Sequence, residues 1–153
     1  MAITKADVLI WLKLADEKKI PSDPDVLELG EGEWYGDYSV RKLPEFIDKY
    51  AKDSDKESLN RWYKDMATDP RPWPEKRHIC FDLVKLFYKT VLQFRNVTSI
   101  DLHGTANALK LDLNYSLNAS KQYDVIINTG TIEHVFNAGQ AFISCHNLCK
   151  EQG

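Results

Sequence analysis

Asp25-Val26-Leu27-Glu28-Leu29-Gly30-Glu31-Gly32 reads as a buried strand that runs straight into a glycine-containing turn. Upstream, Pro21-Ser22-Asp23-Pro24 ends whatever helix precedes it, because neither proline donates a backbone hydrogen bond and each disfavours helix in the residue before it. Downstream, Gly30 and Gly32 permit positive φ and let a ligand approach where a Cβ would collide. A second apolar run, Tyr123-Asp124-Val125-Ile126-Ile127-Asn128, breaks off in the same way into Thr129-Gly130-Thr131-Ile132-Glu133-His134. The two turns read as the two halves of one small-molecule pocket.

The segments between them alternate. Thr4 with Asp7 forms a capping-box pattern, and Val8, Leu9, Trp11, Leu12, Leu14 and Ala15 recur at helical spacing as far as Lys18-Lys19. Two shorter helical patterns follow the glycine turn: Leu43, Phe46, Ile47 and Tyr50, then Leu59, Trp62, Tyr63 and Met66, with Ser54 or Asp55 as cap of the second. Asp69-Pro70-Arg71-Pro72-Trp73-Pro74 is a stiff loop, and the spacing of Ile79, Cys80, Leu83, Leu86, Phe87, Val91 and Leu92 predicts a helix over residues 75–94. Residues 97–101 and 108–112 read as strands ending on Asp101 and Asp112, residues 123–128 as a strand ending on Asn128, and residues 137–149 as a helix. Strands interleaved with helices predict an α/β domain on a mainly parallel sheet, with ligands bound beyond the carboxyl ends of the strands. Gly30, Asp101, Asp112 and Asn128 would then face one crevice.

Composition excludes several function classes. The chain has 153 residues, 43% hydrophobic and 28% charged, which fits one globular domain. A net charge of -3 and a pI near 5.8 provide no field for nucleic acid or an anionic membrane. The local cluster Arg71, Lys76, Arg77 and His78 reads as a solvated helix start rather than a phosphate site. No apolar run approaches the ~20 residues a bilayer requires. The first twenty residues carry Lys5, Asp7, Lys13, Asp16 and Glu17, unlike a signal peptide, so a cytoplasmic location is expected. Cys80, Cys145 and Cys149 do not make a disulfide framework. Cys145 and Cys149 stand one helical turn apart, but His146 points elsewhere, so a buried thiol face beside Phe142 is expected in place of a zinc site.

The crevice residues carry their own chemistry. A dinucleotide fingerprint needs glycines at i, i+2 and i+5 with an acid about 20 residues on. Here Tyr35 holds the third position, Gly36 follows it, and Asp101 lies 71 positions after Gly30, so pyrophosphate is disfavoured. Glu28, Glu31 and Glu33 add negative charge that suits a cationic ligand. Asp101 at a strand end is placed either to accept from both ribose hydroxyls or to shape a turn before Gly104. Asp112 accepts either from an exocyclic amine such as that of adenine or within a turn at Asn114.

The runs VLELGEGE (26–33), TSIDLHG (98–104), ALKLDLN (108–114) and YDVIINTGTIEHVFN (123–137) resemble, in order and spacing, the successive motifs of class I S-adenosylmethionine-dependent methyltransferases. The HDLN-like and GTxEHVFN-like segments most resemble a bacterial branch of that superfamily. The resemblance spans residues 25–153, with 37–74 outside it as a helical insertion, either a lid over the pocket, a substrate platform or a flap covering the sheet, and 1–20 as an N-terminal helix of the same single domain. It implies a Rossmann-like, doubly wound sheet and S-adenosylmethionine as cofactor. Glu28, Gly30, Glu31 and Gly32 would line the methionine part, Asp101 would hold the ribose, and Leu102 would pack on the adenine. Asp112 and Leu113 would meet the adenine edge, while Asn128, Thr129 and Gly130 would close the pocket near the sulfonium. No motif names the methyl acceptor.

Departures from the family pattern set further expectations. Trp34 replaces a third glycine, which implies a wider turn. In some relatives the counterpart of Glu133-His134 binds a divalent metal with a further Glu three positions earlier; here that position is Gly130, so no metal is expected. Glu133 suits a helix N-terminus, and His134 serves as general base only with a substrate proton within about 3 Å. The chain reaches Gly153 where the family enters a fifth strand, so a truncated sheet of four strands ordered 3-2-1-4 is expected, its last strand a free edge open to self-association. The alternative function is a non-catalytic Rossmann-like interaction module using that edge and the aromatics Trp34, Tyr35, Tyr38, Trp62, Tyr63 and Trp73. A nicotinamide-dependent oxidoreductase has the wrong glycine spacing.

Overall fold

A computed structural model describes residues 2–34, 42–69, 77–117, 120–151 and 153. In chain order its elements are β1 (Ala2–Ile3), α1 (Lys5–Asp16), β2 (Asp25–Leu29), β3 (Glu33–Trp34), α2 (Leu43–Tyr50), α3 (Asp53–Ala67), α4 (Arg77–Thr90), β4 (Asn96–Ile100), β5 (Val125–Asn128), a 3-10 turn (Ile132–His134) and α5 (Ala138–Leu148). The chain is α/β with parallel strands and divides into two compact units, one built from Pro21–Gly32 and Phe94–Gly153, the other from Ala2–Ile20 and Glu33–Gln93.

In the first unit β2 lies between β4 and β5 and pairs parallel with both, Leu27 opposite Thr98 on one side and Ile126 on the other. Successive strand side chains point to opposite faces, so Leu27 and Leu29 share one and Val26 and Glu28 the other. Leu27 and Leu29 join Ile100, Leu113, Tyr123 and Ile132 in a core that α5 enters through Ala141 and Leu148. At the amino ends of the strands the Asp124 carboxylate accepts the Asp25 N–H at 2.8 Å, and the Asp25 carboxylate accepts from Arg95 and Asn96, both at 2.8 Å. Lys150 donates to Asp124 at 2.6 Å, so charges lace the starts of all three strands together.

A sheet of four strands was expected; among the described residues this sheet has three, β4-β2-β5, and β1–β3 is a separate pair. Segment 108–112 makes a single parallel bridge, Leu109 to Ile100, with the Leu109 N–H donating to the Ser99 carbonyl at 2.8 Å. Local turns then take over: the Leu111 N–H donates back to the Leu109 carbonyl, and the Asp112 carboxylate accepts the Asn114 N–H. Short polar side chains compete with the ladder in this way. Tyr123, expected within β5, is likewise a bridge residue, paired with Cys149, and β4 begins at Asn96 and stops at Ile100, one residue before Asp101.

The second unit contains the helices. Thr4 and Asp7 form the expected capping box of α1, which ends at Asp16 because Lys18 turns to φ 53. The two-residue pair β1–β3 is too short to carry a sequence signature. The cap of α3 is Lys52, without a side-chain hydrogen bond; Ser54 and Asp55 lie inside the first turn. Phe87 on α4 is fully buried, with the rings of Trp11, Trp34 and Phe46 at 5.9, 5.5 and 6.2 Å. The helix ends at Thr90 and not near Phe94, because Gln93 adopts φ 52. The aromatics Tyr35, Tyr38 and Trp73, the basic residues Arg71 and Lys76, and most of the proline-rich loop lie outside the described residues.

Candidate functional site

Three loops meet beyond the carboxyl ends of the first unit's strands. The turn after β2 is anchored by the Gly30 N–H, which donates to the Ile100 carbonyl at 2.7 Å, and Gly30 sits at φ 78, where a side chain is strained. The next N–H, of Glu31, donates to Oδ2 of Asp101 at 2.9 Å, which binds this turn to the loop after β4. The third loop is held by the Thr131 hydroxyl, which donates to the Leu29 carbonyl at 2.7 Å.

Asp101 is half-buried, and each carboxylate oxygen already accepts one backbone amide: Oδ2 from Glu31, and Oδ1 from His103 at 2.8 Å. A carboxylate oxygen has a second acceptor site, so Asp101 keeps capacity for two further donors in a fixed orientation. Leu102 beside it is 48% exposed, a large apolar surface in reach of solvent at the same loop. Gly104 follows in close quarters, since a Cβ there would stand 2.9 Å from Asp101 Cβ and 2.9 Å from Glu31 Oε2.

The other expected site residues are distributed differently. Glu28 is buried opposite Ser99, whose hydroxyl donates to Oε2 at 2.7 Å, so its carboxylate is engaged within the sheet face. Glu31 is also buried, and its carboxylate turns to Thr105, while Glu33 belongs to β3 of the other unit. Gly32 is buried. Asp112 closes its own turn through Asn114, whose side-chain oxygen accepts the Asn137 N–H next to the start of α5, and Leu113 belongs to the core. Asn128 uses its side-chain oxygen to accept the N–H groups of Thr131 and Ile132 at 3.0 and 3.1 Å, capping the 3-10 turn. Thr129 and Gly130 are half-buried, Gly130 at φ 100 with the Glu133 carboxylate folded over it, and Glu133 and His134 are exposed. Direct hydrogen bonding therefore unites Glu31 with Asp101, next to the bond from Gly30 to Ile100, whereas Asp112 is tied towards α5. Sequence reasoning missed Ser99 and Thr105: both are small hydroxyl residues in unpatterned positions, and only pairing with acids 71 and 74 positions away gives them a role.

Cys80, Cys145 and Cys149 form no disulfide, and burial pushes the Cys145 thiol upward. Among the described residues no group of three or more His, Cys, Asp or Glu side chains is arranged to hold a metal ion, and no helix is long and apolar enough to cross a membrane. Comparison of the chain with protein-family models, with curated proteins and with solved structures found no match.

Proposed function

We propose that the chain binds an S-adenosyl cofactor beyond β2 and β4 and works as an S-adenosylmethionine-dependent methyltransferase or as the cofactor-binding part of one. The observation that carries this reading is Asp101. It is an acid at the end of the strand beside β2, tied by the Glu31 N–H to a turn that requires Gly30, and it retains acceptor capacity for a ribose diol. The exposed Leu102 offers the adjoining apolar surface for a base. The parallel order β4-β2-β5, with Leu109 bridging to the outer side of β4, supports a Rossmann-like reading in which residue 109 marks the place of a further strand.

The residues fit the nucleoside end of the cofactor best. Asp101 accepts from ribose hydroxyls, charge-assisted bonds worth about 1.5–3 kcal/mol each when well desolvated. The Gly30 turn admits backbone close to the ligand, and Asn128 and Thr131 hold the third loop in place. When bound, S-adenosylmethionine supplies an electrophilic methyl group on a sulfonium; the protein's share is orientation of the two reactants. His134, exposed on the 3-10 turn, is available to remove a proton from an acceptor that reaches it.

Titration calorimetry with S-adenosylhomocysteine tests the proposal. A micromolar dissociation constant is expected, with Asp101→Ala weakening it about tenfold, equivalent to the loss of about 1.4 kcal/mol. No heat with either S-adenosylhomocysteine or S-adenosylmethionine, or full affinity in Asp101→Ala, defeats it; a fluorescence change with NADH instead favours an oxidoreductase.

One observation favours the second reading, a non-catalytic module that self-associates. Among the described residues β5 forms a ladder with β2 on one side, while the other side carries only the bridge from Tyr123 to Cys149. An edge of sequence Val-Ile-Ile-Asn without charge is open to pairing with another chain. A stable dimer in sedimentation with no cofactor affinity is the result that selects the module.

A further inference from the structure

We propose that Glu31 and Thr105 form a clamp that positions the Asp101 carboxylate and so makes the site selective for a nucleoside with a free cis-2′,3′-diol. The inference rests on reading Asp101 as the ribose acceptor and deepens it. The Glu31 carboxylate is turned inward to the loop: the residue is 2% exposed, its Oε2 accepts the Thr105 N–H at 2.6 Å, and its Oε1 accepts the Thr105 hydroxyl at 2.9 Å. Its backbone N–H meanwhile donates to Oδ2 of Asp101. One residue thus grips the loop after β4 at two points, the acid at its start and the threonine four residues on.

Thr105 holds its side of the clamp from within the loop. The hydroxyl that donates to Glu31 also accepts the Asn107 N–H at 3.2 Å, and the Thr105 carbonyl accepts the Ala108 N–H at 3.2 Å. Gly104 lets the loop press inward, because a Cβ there would approach Asp101 Cβ and Glu31 Oε2 at 2.9 Å and Ala108 Cβ at 3.0 Å. With His103 N–H on Oδ1 and Glu31 N–H on Oδ2, the carboxylate plane of Asp101 is fixed at both oxygens. Two neighbouring hydroxyls on a rigid ring need two acceptors at a set spacing and orientation, and a pre-set carboxylate provides them without ordering cost on binding. A phosphate on either hydroxyl would instead meet the carboxylate of Asp101.

The test compares S-adenosylhomocysteine with its 2′,3′-dideoxy analogue by calorimetry on the wild type, Thr105→Val, Thr105→Ser and Glu31→Gln, with melting temperatures measured alongside. The wild type is expected to prefer the diol ligand by about tenfold, the scale of one charge-assisted hydrogen bond. Thr105→Val and Glu31→Gln should lose most of that preference through weaker binding of the diol form alone, and Thr105→Ser should restore it. If Glu31→Gln does not fold, the Thr105 pair decides the question. Equal weakening of both ligands means a merely structural role and overturns the clamp, as does an intact preference in Thr105→Val. A wild type that prefers the diol while the variants match it defeats the clamp and leaves the adenosyl reading standing; a wild type that binds neither ligand defeats both.

Discussion

Single residues carry the sharpest conformational demands. Gly30 at φ 78 occupies the left-handed region, so Gly30→Ala is expected to cost about 1–2 kcal/mol from backbone strain, read as a lower urea midpoint with an unchanged slope. Thr90 is the opposite case. It is fully buried in α4, and its hydroxyl has no hydrogen-bond partner among the described residues, so Thr90→Val removes a desolvated polar atom at nearly constant shape. The replacement should raise stability by about 1 kcal/mol in the same denaturation experiment. The sequence marks Gly30 and Asp101 readily, a glycine after an apolar run and an acid at a strand end. It does not mark how Asp101 spends its lone pairs, because the donors, Glu31 and His103, are backbone amides that every residue but proline carries.

Elements were legible where the signal is local and long. The capping box at Thr4 and Asp7 predicts the start of α1, and the hydroxyl, amide and carboxylate meet as expected. Thr4→Ala should therefore destabilise the fold by about 1 kcal/mol, with the loss visible as a lower thermal midpoint in circular dichroism. The α5 boundary at Asn137 was also legible, since its side-chain oxygen accepts the Gln140 N–H. Boundaries set by non-local events were not. Segment 108–112 has the apolar alternation of a strand, but its partner meets it at one residue and the Asp112 turn draws the chain away. The end of α4 depends on Gln93 taking φ 52, its side-chain amide donating to the Tyr50 carbonyl at 3.0 Å, a contact 43 positions away in sequence.

At the scale of the whole molecule, the charges at the amino ends of β2, β4 and β5 link pH to stability. The Asn96 and Arg95 donors hold the Asp25 carboxyl down from its ordinary 3.8 to about 2, and Lys150 lowers Asp124 in the same network. A depressed carboxyl stabilises the fold fully above its unfolded value and loses that contribution as pH falls through the folded one. Stability should thus drop between about pH 4 and about pH 2, and Asp25→Asn should flatten that part of a urea-midpoint curve while lowering the plateau above it. A curve equally steep in the variant would assign the acid sensitivity to other carboxylates. By itself the sequence determined the α/β character, the parallel pairing expected of alternating elements, the place of β2 and β5, and the glycine and acid that follow β2 and β4, since each follows from short-range pattern and backbone sterics. Only the tertiary structure decided that three strands pair as β4-β2-β5 among the described residues, that Glu28 and Glu31 accept from Ser99 and Thr105, that Asp112 and Asn128 serve turns, and that Asp101 is held at both oxygens. The reason is physical: a carboxylate's role is set by which donors reach it in space, and those donors lie dozens of residues away or in the backbone, where the sequence carries no mark of them.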